Sequence, residues 1–570
     1  MQKLLYRRQY LLSAATCERL SGWPSTRLGT HTLYIHADCP WVRADGDAGE
    51  AGGDATNARS VIIVGYAIDP HHPESDTADI AREFAHLSTP GEVADRLYSL
   101  TGRFVLFIRE YGRLLIFHDA FGLKSVFYTR HEGRFYAASQ PLLLGEAVPL
   151  KKSGHYDQYF NSKYVRIKGG HYIPAGASLY ENVEHLVPNH YLESPFGPSV
   201  LTPDALPDIP SDYPSDIPSD YPSDIPSDYP SDIPSDYPSD YPSVIPSDLT
   251  PDAPTDAPSD AAPDRQIRYF PNRSPGSRSL GDGVEAYADH LSRIMKAAAH
   301  RHKLALSLSA GLDSRAVLAA CRDIAGNINA YTLINHKLTP DSPDIRIPSR
   351  LVPRLGMEHL IIDCHDPMDP DVEEAYHTNT DIPHFSHWGP STSALHRHFP
   401  QDRLAVKGDG AEIVRCFYYK YKPHPLILSH RHFTKMVRGW DGIPFLDEVL
   451  ARWYDGIRDP VARTGYRLLD LFYWEHEMGG WMTRNHLEWD IAQEVFIPYN
   501  NRELLDIGLS VDVRHRKVLN NRMFLMAIRR LWTEALSEPI YPVKTRRRLI
   551  RKLVKKVLKR AGLMKRNRRN

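Results

Sequence analysis

The sequence predicts a protein of mixed α/β and α+β class with two domains. Short apolar segments separated by turn residues fill residues 1–192, and this spacing favours stacked antiparallel sheets. Strand-like and helix-like segments alternate through residues 266–543, which favours a parallel sheet followed by a helical C-terminal part. A chain of 570 residues is long enough for two such domains, each with its own core.

Composition and charge narrow the class of protein. Hydrophobic residues make up 42% of the chain and charged residues 24%, as in a globular protein. The net charge of −1 produces no global field toward nucleic acid or acidic lipid, so no nucleic-acid partner is expected. Five scattered cysteines without CxxC spacing indicate reduced thiols. No apolar run suits a signal peptide or a transmembrane segment, so we expect a cytoplasmic protein.

The predicted strands of the first domain are short and closely spaced. They cover 4–12, 31–36, 60–66, 103–109, 114–119, 125–129 and 134–139. Tyr111-Gly112 and Glu132-Gly133 supply turn residues between successive strands.

Residues 193–265 contain Pro-Ser-Asp-Tyr and Pro-Ser-Asp-Ile units that repeat every four residues from about Pro210 to Pro242. Proline disfavours helix and removes backbone donors, and the aspartates repel one another, so we expect a disordered, extended linker. It is either a docking strand for a basic or proline-reading partner or, more simply, a repeat expansion tolerated in a surface loop.

The second domain alternates between the two kinds of segment. Helices are predicted at 283–302, from 315, at 347–355 and at 372–379, and strands at 304–308, 329–333, 360–363 and 403–406. In such a parallel sheet, a ligand binds at the carboxyl ends of the strands.

Two motifs lie at such strand ends. The first loop consists of Ser309, Ala310, Gly311, Leu312, Asp313 and Ser314. Its small residues, and the unpaired N–H groups expected in the loop and at the start of the following helix, suit a phosphate. Asp313 would repel that anion unless a divalent cation lay between them, so it is a candidate Mg²⁺ ligand.

The second motif, residues 406–413, places Asp409 and Glu412 among the glycines Gly408 and Gly410. Acidic residues beside a triphosphate would hold a metal or face the substrate. A simple Gly-Asp-Gly turn between strand and helix is the alternative interpretation.

Both motifs resemble those of known enzymes. The first loop resembles the Ser-Gly-Gly-x-Asp-Ser pyrophosphate loop of the ATP pyrophosphatase family, with Ala310 in place of the first glycine. The second resembles the Ser-Gly-Glu/Asp-Gly-x-Asp-Glu stretch of asparagine synthetases, with Ile413 in place of the last acidic residue. The Phe-Gly-Gly-Tyr that follows in that family appears here as residues 415–418, Arg-Cys-Phe-Tyr.

The first domain is similar to the class II glutamine amidotransferase domain of asparagine synthetases. The similarity lies in residues 102–108, 117–128, 138–140 and 186–191. That domain uses an N-terminal cysteine, whereas this chain begins Met1-Gln2, and Cys17 could serve only after removal of sixteen residues that include a predicted core strand. The resemblance therefore implies a degenerate amidotransferase-like domain without glutaminase activity.

Taken together, the resemblance implies an ATP-dependent, AMP-forming amide ligase that uses ATP and Mg²⁺ to join a carboxylate to an amine or ammonia. It assigns catalysis to Asp409 and Lys544, and Mg²⁺ binding to Asp313 and Glu412. It assigns nucleotide binding to residues 309–314, Tyr331, Thr332, Gly408 and Gly410. Weaker matches are Asp344, His359 and residues 494–499.

Two alternatives remain open. One is a lasso-peptide or other macrolactam synthetase that acts on a peptide; in these enzymes and in the related β-lactam synthetases, the amine is already inside the substrate. The other is a non-catalytic binding or assembly protein that keeps the synthetase fold.

Residues 544–570 carry many Lys/Arg and no Asp/Glu, with apolar residues at helical spacing. We interpret them as a basic amphipathic tail for an acidic partner, or as a helix packed on its own domain.

Overall fold

The fold combines two antiparallel sheets with one parallel sheet. The computed structural model describes residues 3–46, 59–110, 112–162, 164–165, 172–196, 263–384, 388–420, 423–427, 429–437, 439–518 and 521–541. All of these residues belong to a single unit. Tyr111, most of the repeat segment and all of the basic tail lie outside the described residues.

The first part of the chain forms the two antiparallel sheets. Its strands are β1 (Tyr10–Ser13), β2 (Ser25–Leu28), β3 (His31–Ile35), β4 (Trp41–Asp45), β5 (Ser60–Ile68), β6 (Thr101–Glu110), β7 (Arg113–His118), β8 (Phe127–His131), β9 (Arg134–Ala138), β10 (Glu184–His185), β11 (His190–Pro195) and β12 (Arg265–Arg268). One sheet has the order β10-β8-β9-β1-β3-β2, and the other has the order β12-β11-β7-β6-β5-β4. The prediction of antiparallel sheets is confirmed.

A shared apolar core explains why these sheets stack. Leu12 of the first sheet and Val126 of the β7–β8 connection pack in one apolar cluster with Val64 and Ile116 of the second sheet. The opposite face of the second sheet is covered by α1 (Thr77–His86) and α2 (Pro90–Arg96). Strand β5 is therefore buried at all nine positions, and its sequence is almost continuously apolar rather than alternating.

The parallel sheet follows the predicted alternation. Its strands are β13 (Leu304–Ser307), β14 (Ile328–Ile334), β15 (His359–Asp363), β16 (Leu404–Val406) and β17 (Val495–Phe496), in the order β15-β14-β13-β16-β17. Each neighbouring pair is parallel. The carboxyl ends of the central strands β13 and β16 therefore lie side by side, where the two predicted motifs begin.

Helices cover this sheet and build the C-terminal part. After α3 (Pro141–Leu144) and α4 (Gly154–Phe160), the helices are α5 (Leu280–Arg301), α6 (Leu312–Ala320), α7 (Pro343–Arg354), α8 (Pro370–Thr378), α9 (Trp388–His398), α10 (Ala411–Val414), α11 (Arg431–Met436), α12 (Pro444–Thr464), α13 (Leu468–Phe472), α14 (Thr483–Trp489), α15 (Arg502–Leu509), α16 (Val513–Arg516) and α17 (Arg522–Trp532). A π-helical segment, Tyr473–Met482, joins α13 to α14. Among the described helices, none has the length and apolarity needed to cross a membrane.

Buried polar contacts join the antiparallel sheets to the rest of the unit. Arg103 of β6 forms a buried ion pair with Asp490. The side-chain amide of Asn500 donates to Asp119 Oδ1 over 2.9 Å, and the Trp474 indole donates to the Ala120 carbonyl over 2.7 Å. These contacts fix residues 119–121 against the C-terminal part, next to the second motif.

The segment that contains the repeat starts and ends on two paired antiparallel strands, β11 and β12. Strands β11 and β12 pair with each other, with Glu193 opposite Arg265. Residues 193–195 and 265, assigned to the linker from composition, are therefore strand residues in the same sheet.

Candidate functional site

The two predicted motifs meet at the carboxyl edge of the parallel sheet. Leu306 of β13 lies beside Val406 of β16, so the loops after both strands leave the sheet together. A Cβ atom on Gly408 would lie 2.8 Å from the Ser314 backbone nitrogen and 3.1 Å from the Asp313 carbonyl carbon. A glycine is required here because the second loop rests directly on the first turn of α6.

The first loop tolerates alanine in place of its first glycine. Ala310 is absent from the described residues with positive φ, and Gly311 has φ −71° and ψ 167°. Neither position needs the left-handed region that glycine alone adopts freely. The Ala310 side chain is fully buried, so this departure from the family pattern fills space in the core.

Internal contacts occupy part of the loop's hydrogen-bonding capacity. The Ser309 N–H donates to Ser314 Oγ over 3.3 Å, the Gly311 N–H to Ser309 Oγ over 3.1 Å, and the Ala310 N–H to Asp344 Oδ1 over 3.1 Å. The expectation of unpaired amides is therefore wrong for these three residues. For the first turn of α6 it stays a prediction, based on the general rule that the first amides of a helix have no partner inside the helix.

Three acidic side chains act on one another around these loops. Burial, with Asp313 and Asp409 next in effect, raises the pKa of Glu412 to about 8. Burial also raises the pKa of Asp409; nearby Lys407 lowers it and Asp313 raises it further. A bound cation would stabilise the charged forms of these carboxyl groups, because its positive charge opposes the repulsion between them. The donors therefore suit a hard divalent cation.

Two basic side chains, not predicted as site residues, lie beside these acids. The Arg415 Nη1 group donates to both carboxylate oxygens of Asp313. Lys407 is 5% exposed, and its ammonium lies over the Trp489 ring. Burial lowers the pKa of Lys407 well below its usual value, while Asp409 opposes that shift. The sequence gives one indication of Arg415 as a site residue: it is charged, whereas the resembled motif has phenylalanine at this position.

Backbone geometry explains two further positions. Gly410 has φ 93°, and a Cβ there would lie 2.6 Å from Cε2 of Phe121, so only glycine fits. Cys416 has φ 58° and ψ 50° at a position where the family has glycine. Cys416 therefore adopts a left-handed conformation that is uncommon for a residue other than glycine.

The predicted adenine-binding edge is tied into the sheet. The Tyr331 carbonyl accepts from the Leu308 N–H over 2.9 Å, so that carbonyl is already paired. Thr332 Oγ1 donates to the Leu308 carbonyl over 2.8 Å and lies 2.9 Å from His359 Nε2. Burial lowers the pKa of His359 to about 4, so His359 is neutral and supports Thr332. Nucleotide binding by Tyr331 and Thr332 stays a prediction.

The remaining predicted residues are placed in different ways. The Leu312 side chain is 4% exposed and packs in the core, which leaves only its amide for a ligand. Lys544 lies outside the described residues. The chain is described up to Tyr541, whose N–H donates to the Ala310 carbonyl over 2.9 Å. Tyr541, three residues before Lys544, is therefore hydrogen-bonded to the first loop.

The cysteine considered for glutamine hydrolysis is buried. Cys17 is 3% exposed, and burial raises the pKa of its thiol. Strand β1, which precedes it, is an inner strand between β9 and β3. Cleavage before Cys17 would remove that strand from the sheet.

A second set of possible metal ligands lies on other elements. Within the described ranges, the one group of three whose donor atoms all fall within 4.8 Å of each other is His71, His290 and Glu503. The carboxylates of the first site are thus more widely spaced. Mg²⁺ is commonly held by one or two carboxylates plus phosphate oxygens, so this spacing is compatible with it.

No family model matches this chain, and no curated protein matches it. The functional assignment therefore depends on the chemistry of the site and on the motif resemblance.

Proposed function

We propose that the protein is an ATP-dependent, AMP-forming amide ligase, similar to asparagine synthetases but without glutaminase activity. The observation that carries this proposal is the contact of Gly408 with Asp313 and Ser314. It brings a helix N-terminus and three neighbouring acidic side chains to one edge of a parallel sheet, the usual place for a nucleotide in such folds.

The residues divide the work as follows. Asp313 and Glu412 would hold Mg²⁺, and the first-turn amides of α6, with its dipole, would hold pyrophosphate oxygens. When bound, Mg²⁺-ATP supplies an electrophilic α-phosphorus and a leaving group for a carboxylate that is otherwise unreactive toward amines. Following the motif resemblance, Asp409 would face the carboxylate substrate. Lys544 follows Tyr541 by three residues, a span of about 10 Å at most, and would offset charge on the leaving pyrophosphate.

The nitrogen would come from ammonia or an amine rather than from glutamine. Cys17 is buried, and exposing it as an N-terminal residue would remove the inner strand β1. An amine within the substrate itself, including a peptide amine, would give a cyclic product. Cytoplasmic location is part of this proposal.

A second function is favoured by one specific contact. Arg415 occupies both oxygens of Asp313, the proposed Mg²⁺ ligand. If Arg415 keeps Mg²⁺ from both oxygens of Asp313 in the presence of nucleotide, the protein would be a non-catalytic binding or assembly protein with a synthetase fold.

Two measurements on the full chain separate these functions. Calorimetry with Mg²⁺-ATP should show binding, and ATP/pyrophosphate exchange with a panel of carboxylates should show turnover that glutamine does not replace. Binding without exchange for any carboxylate would favour the non-catalytic function. Neither binding nor exchange would end the nucleotide proposal.

A further inference from the structure

Arg415 is held in place at the edge of the anion site. It follows α10, which begins after the left-handed Gly410, and Cys416 turns the chain in the left-handed region immediately afterwards. The Arg415 N–H donates to the Ala411 carbonyl over 3.1 Å, and its guanidinium carbon lies 5.8 Å from the centre of the Phe524 ring. The side chain is only 12% exposed, so the guanidinium has a defined position.

The contacts of Arg415 use only part of its donor set. Its Nη1 group meets both oxygens of Asp313 in the first turn of α6. Its Nε–H is buried without an acceptor among the described residues. A buried donor without an acceptor is unfavourable, and a guanidinium presents its donors in a planar fork that matches phosphate oxygens.

Acidic side chains at the proposed anion site would repel pyrophosphate, and the positive charge of Arg415 reduces that repulsion. A pyrophosphate would enter a region that already contains Asp313, Asp409 and Glu412, which follow the neighbouring strands β13 and β16. Arginine keeps its charge at every accessible pH, so Arg415 supplies a positive charge at this place.

We propose that Arg415 is a pyrophosphate-binding residue of this chain, shared between Asp313 and the bound anion. This inference rests on the proposed anion site. It adds a permanent protein cation at a position where the resembled synthetases have phenylalanine. Without a ligand, Arg415 pairs with Asp313 alone; with pyrophosphate bound, it also contacts the anion.

Calorimetry with inorganic pyrophosphate tests this without knowledge of the carboxylate substrate. The full chain, R415M and R415K would be titrated with excess Mg²⁺ and again with a chelator. R415M should bind pyrophosphate about tenfold more weakly or worse, the loss expected for charge-assisted hydrogen bonds. R415K keeps the charge without the fork and should fall between. R322M, which changes an exposed arginine beyond the other end of α6, should bind like the original chain.

A double-mutant comparison separates contact with the anion from an action through Asp313. If Arg415 touches pyrophosphate, adding R415M to D313N should still weaken binding in chelator. If Arg415 only neutralises Asp313, R415M should have no effect in the D313N background, and the inference is overturned. Absence of pyrophosphate binding by the unchanged chain would overturn both this inference and the anion site. Normal binding by the chain with equal binding by R415M would overturn this inference alone.

Discussion

At the scale of single residues, Asp313 and Glu412 are the side chains on which the proposed Mg²⁺ site depends. Asp313→Asn and Glu412→Gln should each reduce Mg²⁺-dependent pyrophosphate release by about a hundredfold or more, because Mg²⁺ has few protein ligands to spare. Release can be followed by a coupled phosphate assay once exchange identifies a carboxylate. Asp323→Asn changes an exposed acidic residue on the surface and should leave the rate unchanged. Unchanged rates in both site variants would remove these residues from the mechanism.

Cys416 provides a residue-scale test of the backbone. It is fully buried with φ 58°, whereas Cys321 is equally buried with φ −87°. A β-branched side chain is strongly disfavoured at positive φ. Cys416→Val should therefore lower the free energy of unfolding by about 1–2 kcal/mol more than Cys321→Val does. Equal losses in urea unfolding would show that the left-handed turn is not a constraint at this position.

At the scale of elements, the β11–β12 hairpin sets the consequence of removing the repeat. Deletion of 205–262 retains both strands and Asp264, which pairs with Arg130 at 2.7 Å. Because the loop ends already lie on neighbouring strands, shortening the loop changes its closure entropy by only about 1–2 kcal/mol. The melting temperature and the pyrophosphate affinity should stay close to those of the full chain. A large loss of either would show that the repeat contributes to folding or binding.

The alternation after residue 266 predicted the parallel sheet and placed both loops at the carboxyl ends of its strands. Several shorter or partly exposed strands were missed. Strand β2 was missed because three of its four residues are not buried, and β17 because it has only two residues. Strand β1 begins at Tyr10 rather than at the predicted residue 4, since Tyr6 and Arg8 adopt positive φ. Their side chains give no signal of that conformation.

The site shows the same division. Glycines at 408 and 410 and the acidic residues were found because each motif is local in sequence. The ion pair of Arg415 with Asp313 joins residues 102 positions apart, so it depends on how the second loop packs on the first turn of α6. No local pattern predicts such a contact.

At the scale of the whole molecule, stability should depend on a buried carboxyl group. Asp506 is 3% exposed and accepts hydrogen bonds from Tyr466 and from Tyr98, which precedes β6. Burial raises the pKa of Asp506 from 3.8 to about 6. The folded state therefore favours the protonated form. Its contribution to stability is fully present below about pH 4 and is lost as the pH rises through 6.

Asp506→Asn should remove this contribution to the pH dependence. The difference in unfolding free energy between the original chain and the variant should change by about 2–3 kcal/mol between pH 4 and 7, in favour of the variant at the higher pH. Urea unfolding at several pH values measures it. Asp459→Asn, at a side chain 73% exposed, is the control and should give a difference independent of pH. The same flat difference for Asp506→Asn would contradict the argument.

The fastening of the last described residues to the first loop also bears on the order of biosynthesis. Arg315 of α6 donates to the carbonyls of Ala535 and Glu538, and Tyr541 donates to Ala310. A chain emerging from the ribosome has its N-terminal sheets available to fold first. The first loop, by contrast, lacks these contacts until residue 541 has been made. An incomplete nascent chain that lacks these residues would therefore be unable to form the hydrogen bonds that hold the first loop and α6 to the C-terminal part.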